Sequence, residues 1–194
     1  MNHDAYPDSY IREILNGVKS IAMVGASPVN VRPSYFAFKY LAQRGYDMIP
    51  VNPGHVGKNL LDKPFVASLA DIGRPVDMID IFRNSSHIMP VVEEALRLDP
   101  PPKVIWMQLG ARDEAAAARA EAAGLKVVMN RCPKIEYGRL SSEISWMGVN
   151  SRTLSSKRAP VPTQGMRLSL NRTSVGGGET AASDRAAKNR NDAT

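Results

Sequence analysis

Five short apolar runs fix what this chain can become: residues 20–24, 46–51, 77–82, 103–108 and 126–129. Each is too short for a helix and suits a strand buried on both faces. The segments between them carry helical spacing. Parallel strands need crossovers of about a dozen residues or more, and helices are the usual crossover. Strand and helix in alternation therefore predict an α/β chain with one five-stranded parallel sheet and helices on both faces. Right-handed crossovers and a doubly wound strand order are the default for such a sheet.

The first run shows the pattern. Ser20–Val24 leads into Gly25-Ala26-Ser27, then a polar stretch, then Pro33, whose fixed φ fits the first turn of a helix. That helix is expected from Pro33 to about Arg44, closed by Gly45. A strand, a tight turn and a helix leave backbone N–H groups and a helix dipole facing the space above the strand end, which suits phosphate. The turn is not a dinucleotide fingerprint, since Ser27 and Asn30 stand where G-x-G-x-x-G needs its later glycines. It has no G-K-[ST] either. The second run ends in Val51-Asn52-Pro53-Gly54, where an NAD-binding sheet would place an acid for the ribose, and Asp47 lies at the wrong end of that strand.

Ahead of the sheet, Asp8 or Ser9 is expected to cap a short helix to about Val18. Ser68 is expected to cap a helical turn, a serine after Asn84 to cap the third crossover helix, and Asp113 to open an alanine-rich helix closed by Gly124. The last ordered piece is expected from Ile135 to about Met147. In a doubly wound sheet the ligand lies in the crevice at the carboxyl ends of the strands. Those ends are rich in polar and turn-forming residues: Gly25-Ala26-Ser27, Asn52-Pro53-Gly54, Arg83-Asn84-Ser85, Gln108-Leu109-Gly110 and Asn130-Arg131-Cys132. The opposite rim is plainer.

The chain of 194 residues allows one domain and an appendage. Its net charge of +6 is uneven. Residues 151–194 hold eight Lys/Arg against three acids, which leaves 17 basic and 16 acidic residues in the first 150. We read residues 1–150 as the folded domain and 151–194 as a basic, mostly flexible tail that proteolysis should clip. Within it, Met166–Leu170 alternates and could add a strand to a partner. The tail has no aromatic residue for base stacking, so nucleic acid is not the expected partner. No apolar run approaches ~20 residues, so no membrane span is expected. The N-terminus lacks a signal pattern and Cys132 is the sole cysteine, which together suggest a cytoplasmic protein.

Taken together, I-A-M-V-G-A-S, R-P-S-Y, I-P-V-N-P, V-D-M-I-D-I-F-R-N-S, W-M-Q-L-G and V-V-M-N-R-C-P resemble the small CoA-binding proteins. These are single Rossmann-like domains similar to the amino-terminal domain of the succinyl-CoA synthetase alpha subunit. The resemblance covers about residues 8–145 and implies coenzyme A or an acyl-CoA as ligand. It assigns the pyrophosphate to Gly25, Ala26 and Ser27, and the adenosine flank to Val51, Asn52 and Pro53. Lys58 and Arg32 would be phosphate partners. Phe82, Arg83 and Asn84 would lie under the adenine or the pantetheine arm. Gln108, Leu109 and Gly110, then Asn130, Arg131 and Cys132 with Pro133, complete the rim.

The synthetase carries its phosphorylated histidine on a further domain. Here His3 and His87 read as surface residues, and His55 has no evident acid partner. Neither metal-ligand spacing nor a nucleophile elbow is present. A non-enzymatic carrier or sensor is thus the first expectation. The alternatives are a CoA ligase or transferase subunit completed by a partner, possible self-association, and an NAD(P)-dependent oxidoreductase. Cys132 has two readings. It can be an inert small residue at a strand end. Or Arg131 and Lys134 can lower its pKa, so that it forms a mixed disulfide with bound coenzyme A; mass spectrometry after mild oxidation separates the two.

Overall fold

The structure is a computed structural model and describes residues 2–141. Five helices are present in it: α1 Asp8–Gly17, α2 Pro33–Gln43, α3 Ile88–Leu96, α4 Glu114–Ala122 and α5 Pro133–Leu140. The main strands are β1 Ser20–Val24, β2 Asp47–Val51, β5 Met78–Ile81, β6 Val104–Met107 and β7 Lys126–Val128. They form one parallel sheet in the order β2-β1-β5-β6-β7. The chain turns outward from β1 to β2, then returns across β1 to start β5. The switch point of the fold therefore lies between β1 and β5.

Period-two alternation sorts each strand between two cores. Ile21, Met23, Met48, Met78, Trp106 and Val128 face α1, α2 and α5. Ala22, Ile49, Ile79, Ile81, Ile105 and Val127 face α3 and α4. The expected fold, with helices on both faces, is the one observed.

Several local expectations need correction. α1 is entered through Pro7 without a side-chain cap, and Asp8 instead pairs with Arg139 at 2.8 Å. No serine side chain caps α3, which follows a 3₁₀ turn at Ser85–His87; Ser85 Oγ accepts from the Arg112 amide instead. Between β2 and β5 a small antiparallel hairpin, β3 Asn59–Leu60 with β4 Lys63–Pro64, was not expected. Its strands are two residues long, too short for any periodicity to show. His3 is buried, not a surface residue: its Nδ1 lies 2.8 Å from Tyr6 Oη and its Nε2 lies 3.4 Å from Glu121. The alanine helix does begin as expected, Asp113 Oδ1 accepting from the Ala116 amide at 3.0 Å. The piece expected from Ile135 is α5, which starts at Pro133 and runs to Leu140; its continuation to Met147, like the tail with its Met166–Leu170 stretch, lies outside the described residues.

Two polar clamps align the amino-terminal edge of the sheet. Asp77 accepts from the Lys19 amide at 2.8 Å, the Ser20 amide at 3.1 Å and Lys103 Nζ at 2.7 Å. Burial alone would raise this carboxyl, but these donors outweigh it and hold it down at about 2. Lys126, at the start of β7, pairs with Glu13 of α1.

Candidate functional site

The carboxyl end of β1 is built around Gly25. Its φ of +84° lies in the left-handed region, where L side chains are strained. A Cβ added there would sit 2.4 Å from the Phe82 carbonyl oxygen and 3.3 Å from Arg83 Cδ. The turn after β1 thus lies directly against the chain leaving β5, with the stem of Arg83 along it. The Gly25 amide donates to Val51 O at 2.9 Å, and the Phe82 amide donates to Val24 O at 2.8 Å. Three strand ends are held together by these contacts.

Asn52 explains why an acid is absent at the end of β2. Its Nδ2 donates to Ala26 O at 2.8 Å, and its Oδ1 accepts from the Gly54 amide at 3.1 Å. A carboxylate could not make the first bond, because it has no proton to donate. Asn52 therefore braces the glycine turn. Ser27 Oγ accepts from the Val29 amide at 3.2 Å. Among the described residues, neither the Ala26 nor the Ser27 amide is bonded to a protein acceptor.

Arg32 caps α2 with extended backbone, Lys58 stands in the loop after β2, and Arg83 follows β5. All three are exposed, and none has an acidic partner among the described residues. Many other cations differ: Arg74, Lys103, Arg112, Arg119, Lys126 and Arg139 are paired. His55 lies tilted on Phe65, with ring centres 5.4 Å apart, and its Nδ1 is buried without a partner. Asn84 Oδ1 accepts from Ser86 Oγ at 2.8 Å, within the loop after β5.

The far half of the rim is organised by β6 and β7. Trp106 Nε1 donates to Arg131 O at 2.8 Å. Asn130 adopts a φ of +53° and accepts the Gly110 amide on its Oδ1 at 2.8 Å, tying the two strand ends together. Arg131 is already engaged, by Glu136 at 3.7 Å, by the Asn130 and Asp4 carbonyls and over the Tyr6 ring. Leu109 is exposed. Gln108 is buried and its Nε2 donates to Asp80 Oδ1 at 2.9 Å.

Asp80 gave no site signal in sequence beyond being an acid inside an apolar run. It is fully buried, and its Oδ2 has no partner. Burial pushes its carboxyl up to about 7, with the Gln108 hydrogen bond opposing. The second reading of Cys132, in which Arg131 and Lys134 lower its thiol pKa, is not what the structure supports. Burial raises that pKa and the Asp80 charge adds to the rise, while the Ile135 and Lys134 amides and the Lys134 charge only partly oppose. The two readings of Cys132 thus resolve towards a buried, unactivated thiol.

The rim falls into two groups. Gly25, Ala26, Asn52, Phe82 and Arg83 are joined at the switch point, with Val51 and Pro53 at the adjoining strand end. Gln108, Leu109, Gly110, Asn130, Arg131 and Cys132 are joined over β6 and β7. Beside the second group lies a groove of about 430 Å³ between α1 and α5, reached by Leu109, Arg131 and Cys132. Its helix residues come from opposite ends of the domain, so no local motif could have revealed it. Among the described residues, no group of three His, Cys, Asp or Glu could hold a metal ion, and no helix is long and apolar enough to cross a membrane.

A family model described as a CoA binding domain matches residues 19–138. The uncharacterized protein YneT of Bacillus subtilis is 37% identical over 127 residues, which cover 66% of this chain and 91% of that protein. A solved structure from Thermus thermophilus is 36% identical with a TM-score of 0.65, covering 69% of this chain and 98% of the other. A hypothetical protein from Pyrococcus horikoshii OT3 is 38% identical with a TM-score of 0.65, covering 70% and 93%.

Proposed function

The chain belongs to the CoA-binding domain family, and from that premise we propose that it binds coenzyme A or an acyl-CoA at the carboxyl ends of its strands, as a non-enzymatic carrier or sensor. The observation that carries this reading is the set of three unpaired cations on the loops after β1, β2 and β5, with Arg83 lying along the Gly25 turn. Coenzyme A has a pyrophosphate and a separate 3′-phosphate, so it offers anions in two places. Arg83 and the free Ala26 and Ser27 amides suit the pyrophosphate. Arg32 and Lys58, on neighbouring loops, suit the phosphate at the adenosine end. Asn52 supports the choice over NAD, because its amide is committed to bracing the turn and offers no carboxylate for a ribose.

The carrier or sensor reading draws on two further points. Among the described residues the candidate groups at the crevice are otherwise engaged: His55 packs on Phe65, Cys132 is buried with a raised pKa, and the Ser86 Oγ–His87 Nδ1 contact at 3.0 Å lies in an exposed turn where both groups also bond the Asn84 side chain. The relatives reported above match over 91–98% of their own length, so the domain recurs without a large fused partner. The test is calorimetric titration of the full chain with coenzyme A, 3′-dephospho-coenzyme A and NAD. Micromolar or tighter binding of coenzyme A, weakened without the 3′-phosphate and absent for NAD, is the expected pattern. Equal binding of all three would overturn it.

A further inference from the structure

The groove between α1 and α5 continues the rim on which the ligand is proposed to lie. The pyrophosphate position at Gly25 stands over β1, and the groove opens at the ends of β6 and β7. From β1 to β7 is three interstrand steps, or about 14 Å at ~4.8 Å each. The pantetheine arm is a chain of roughly twelve bonds, and at extended-backbone spacing it too spans about 14 Å. An arm laid across the ends of β5 and β6 therefore brings its sulfur to the mouth of the groove, beside Leu109 and Cys132.

The lining says what can enter. Leu109, Ile135 and the ring of Tyr6 supply the apolar surface, with the buried Ile11 and Cys132 at its floor. The four charged residues cancel in pairs: Arg139 bonds Asp8 at 2.8 Å and Glu136 at 2.7 Å, and Glu136 also lies 3.7 Å from Arg131. No net charge is left to attract a terminal carboxylate. A volume of about 430 Å³ is at the lower end for small-molecule sites. We propose that this groove is an acyl-binding site, taking short to medium uncharged acyl chains carried on the sulfur of bound coenzyme A. The inference rests on the proposed coenzyme A crevice and adds the ligand class.

The experiment titrates the full chain with coenzyme A and with its acetyl, butyryl, hexanoyl and succinyl thioesters. A fully buried methylene is worth up to about fourfold in affinity. The groove is open along one side, so about twofold per methylene is expected, and hexanoyl-CoA, four methylenes longer, should bind roughly 16-fold tighter than acetyl-CoA. Succinyl-CoA should fall below butyryl-CoA. Ile135→Trp, in the first turn of α5 and partly exposed, should fill the groove and abolish the chain-length gain while coenzyme A itself still binds. Ile135→Ser should reduce the gain without blocking entry; melting curves establish that both variants fold. Binding of coenzyme A with a flat or falling chain-length series overturns the groove and leaves the crevice reading intact. Failure of every CoA species to bind overturns both.

Discussion

Replacing Asp80 by Asn should change how the stability of this domain depends on pH. Burial within β5 pushes the native carboxyl up to about 7; Gln108 bonds one of its oxygens and the other has no partner. In the unfolded chain the same group titrates near ~3.9. Between those values the unfolded state has released a proton that the native state keeps, so stability falls as pH rises. The slope is about 1.4 kcal/mol per pH unit, and the loss is complete once pH passes the native value. Over the whole window this one group removes about 4 kcal/mol. Asn keeps the acceptor for Gln108 and does not ionise. Its second N–H adds a constant offset but no slope. Urea denaturation of both proteins at half-unit steps from pH 4.5 to 8 measures the difference directly. The gap in unfolding free energy, variant minus wild type, should widen by roughly 3–4 kcal/mol across the series in favour of Asn. Parallel curves would show that the buried carboxyl finds a compensating partner when charged and would refute the reasoning.

Asp77 should behave in the opposite sense. Its pKa is depressed to about 2, so the stability it contributes is present above about pH 4 and is lost as pH falls towards 2; Asp77→Asn should destabilise the domain by about 2 kcal/mol at pH 7 and flatten the acid limb of its melting profile. Gly25→Ala should lower stability by several kcal/mol, because it combines a strained φ with a Cβ driven into the Phe82 carbonyl, and calorimetry should find coenzyme A binding lost. Arg83→Ala should leave the melting temperature within about 2 °C and weaken coenzyme A roughly tenfold or more, with a shallower salt dependence. Cys132 should alkylate far more slowly than a free thiol at pH 7.5, since burial both raises its pKa and restricts access; rapid labelling would contradict the buried placement.

Much of the architecture was legible before any coordinates. The runs at 20–24, 46–51, 77–82, 103–108 and 126–129 became strands with no end shifted by more than one residue, because apolar length and turn residues are local signals. Gly25 was visible for the same reason, as a glycine at the end of an apolar run. The residues around it became one site only when β5 was placed beside β1. That adjacency joins Gly25 to Phe82 and Arg83 across more than fifty positions of sequence. Asn52 read as a missing acid and, through the resemblance, as part of the adenosine flank; its task as a brace depends on where the Ala26 carbonyl lies. Asp80 read as a strand residue, since nothing in M-I-D-I-F tells a solvated acid from an entombed one. For Cys132 the neighbouring cations in sequence pointed one way, and burial decided the other. His3 looked terminal and exposed until Tyr6 and Glu121 closed around it. Sequence determines element type and order here because both follow from local periodicity and turn chemistry. Tertiary structure decides which side chains lose water and which strand ends meet, since desolvation and adjacency arise from contacts between residues far apart along the chain.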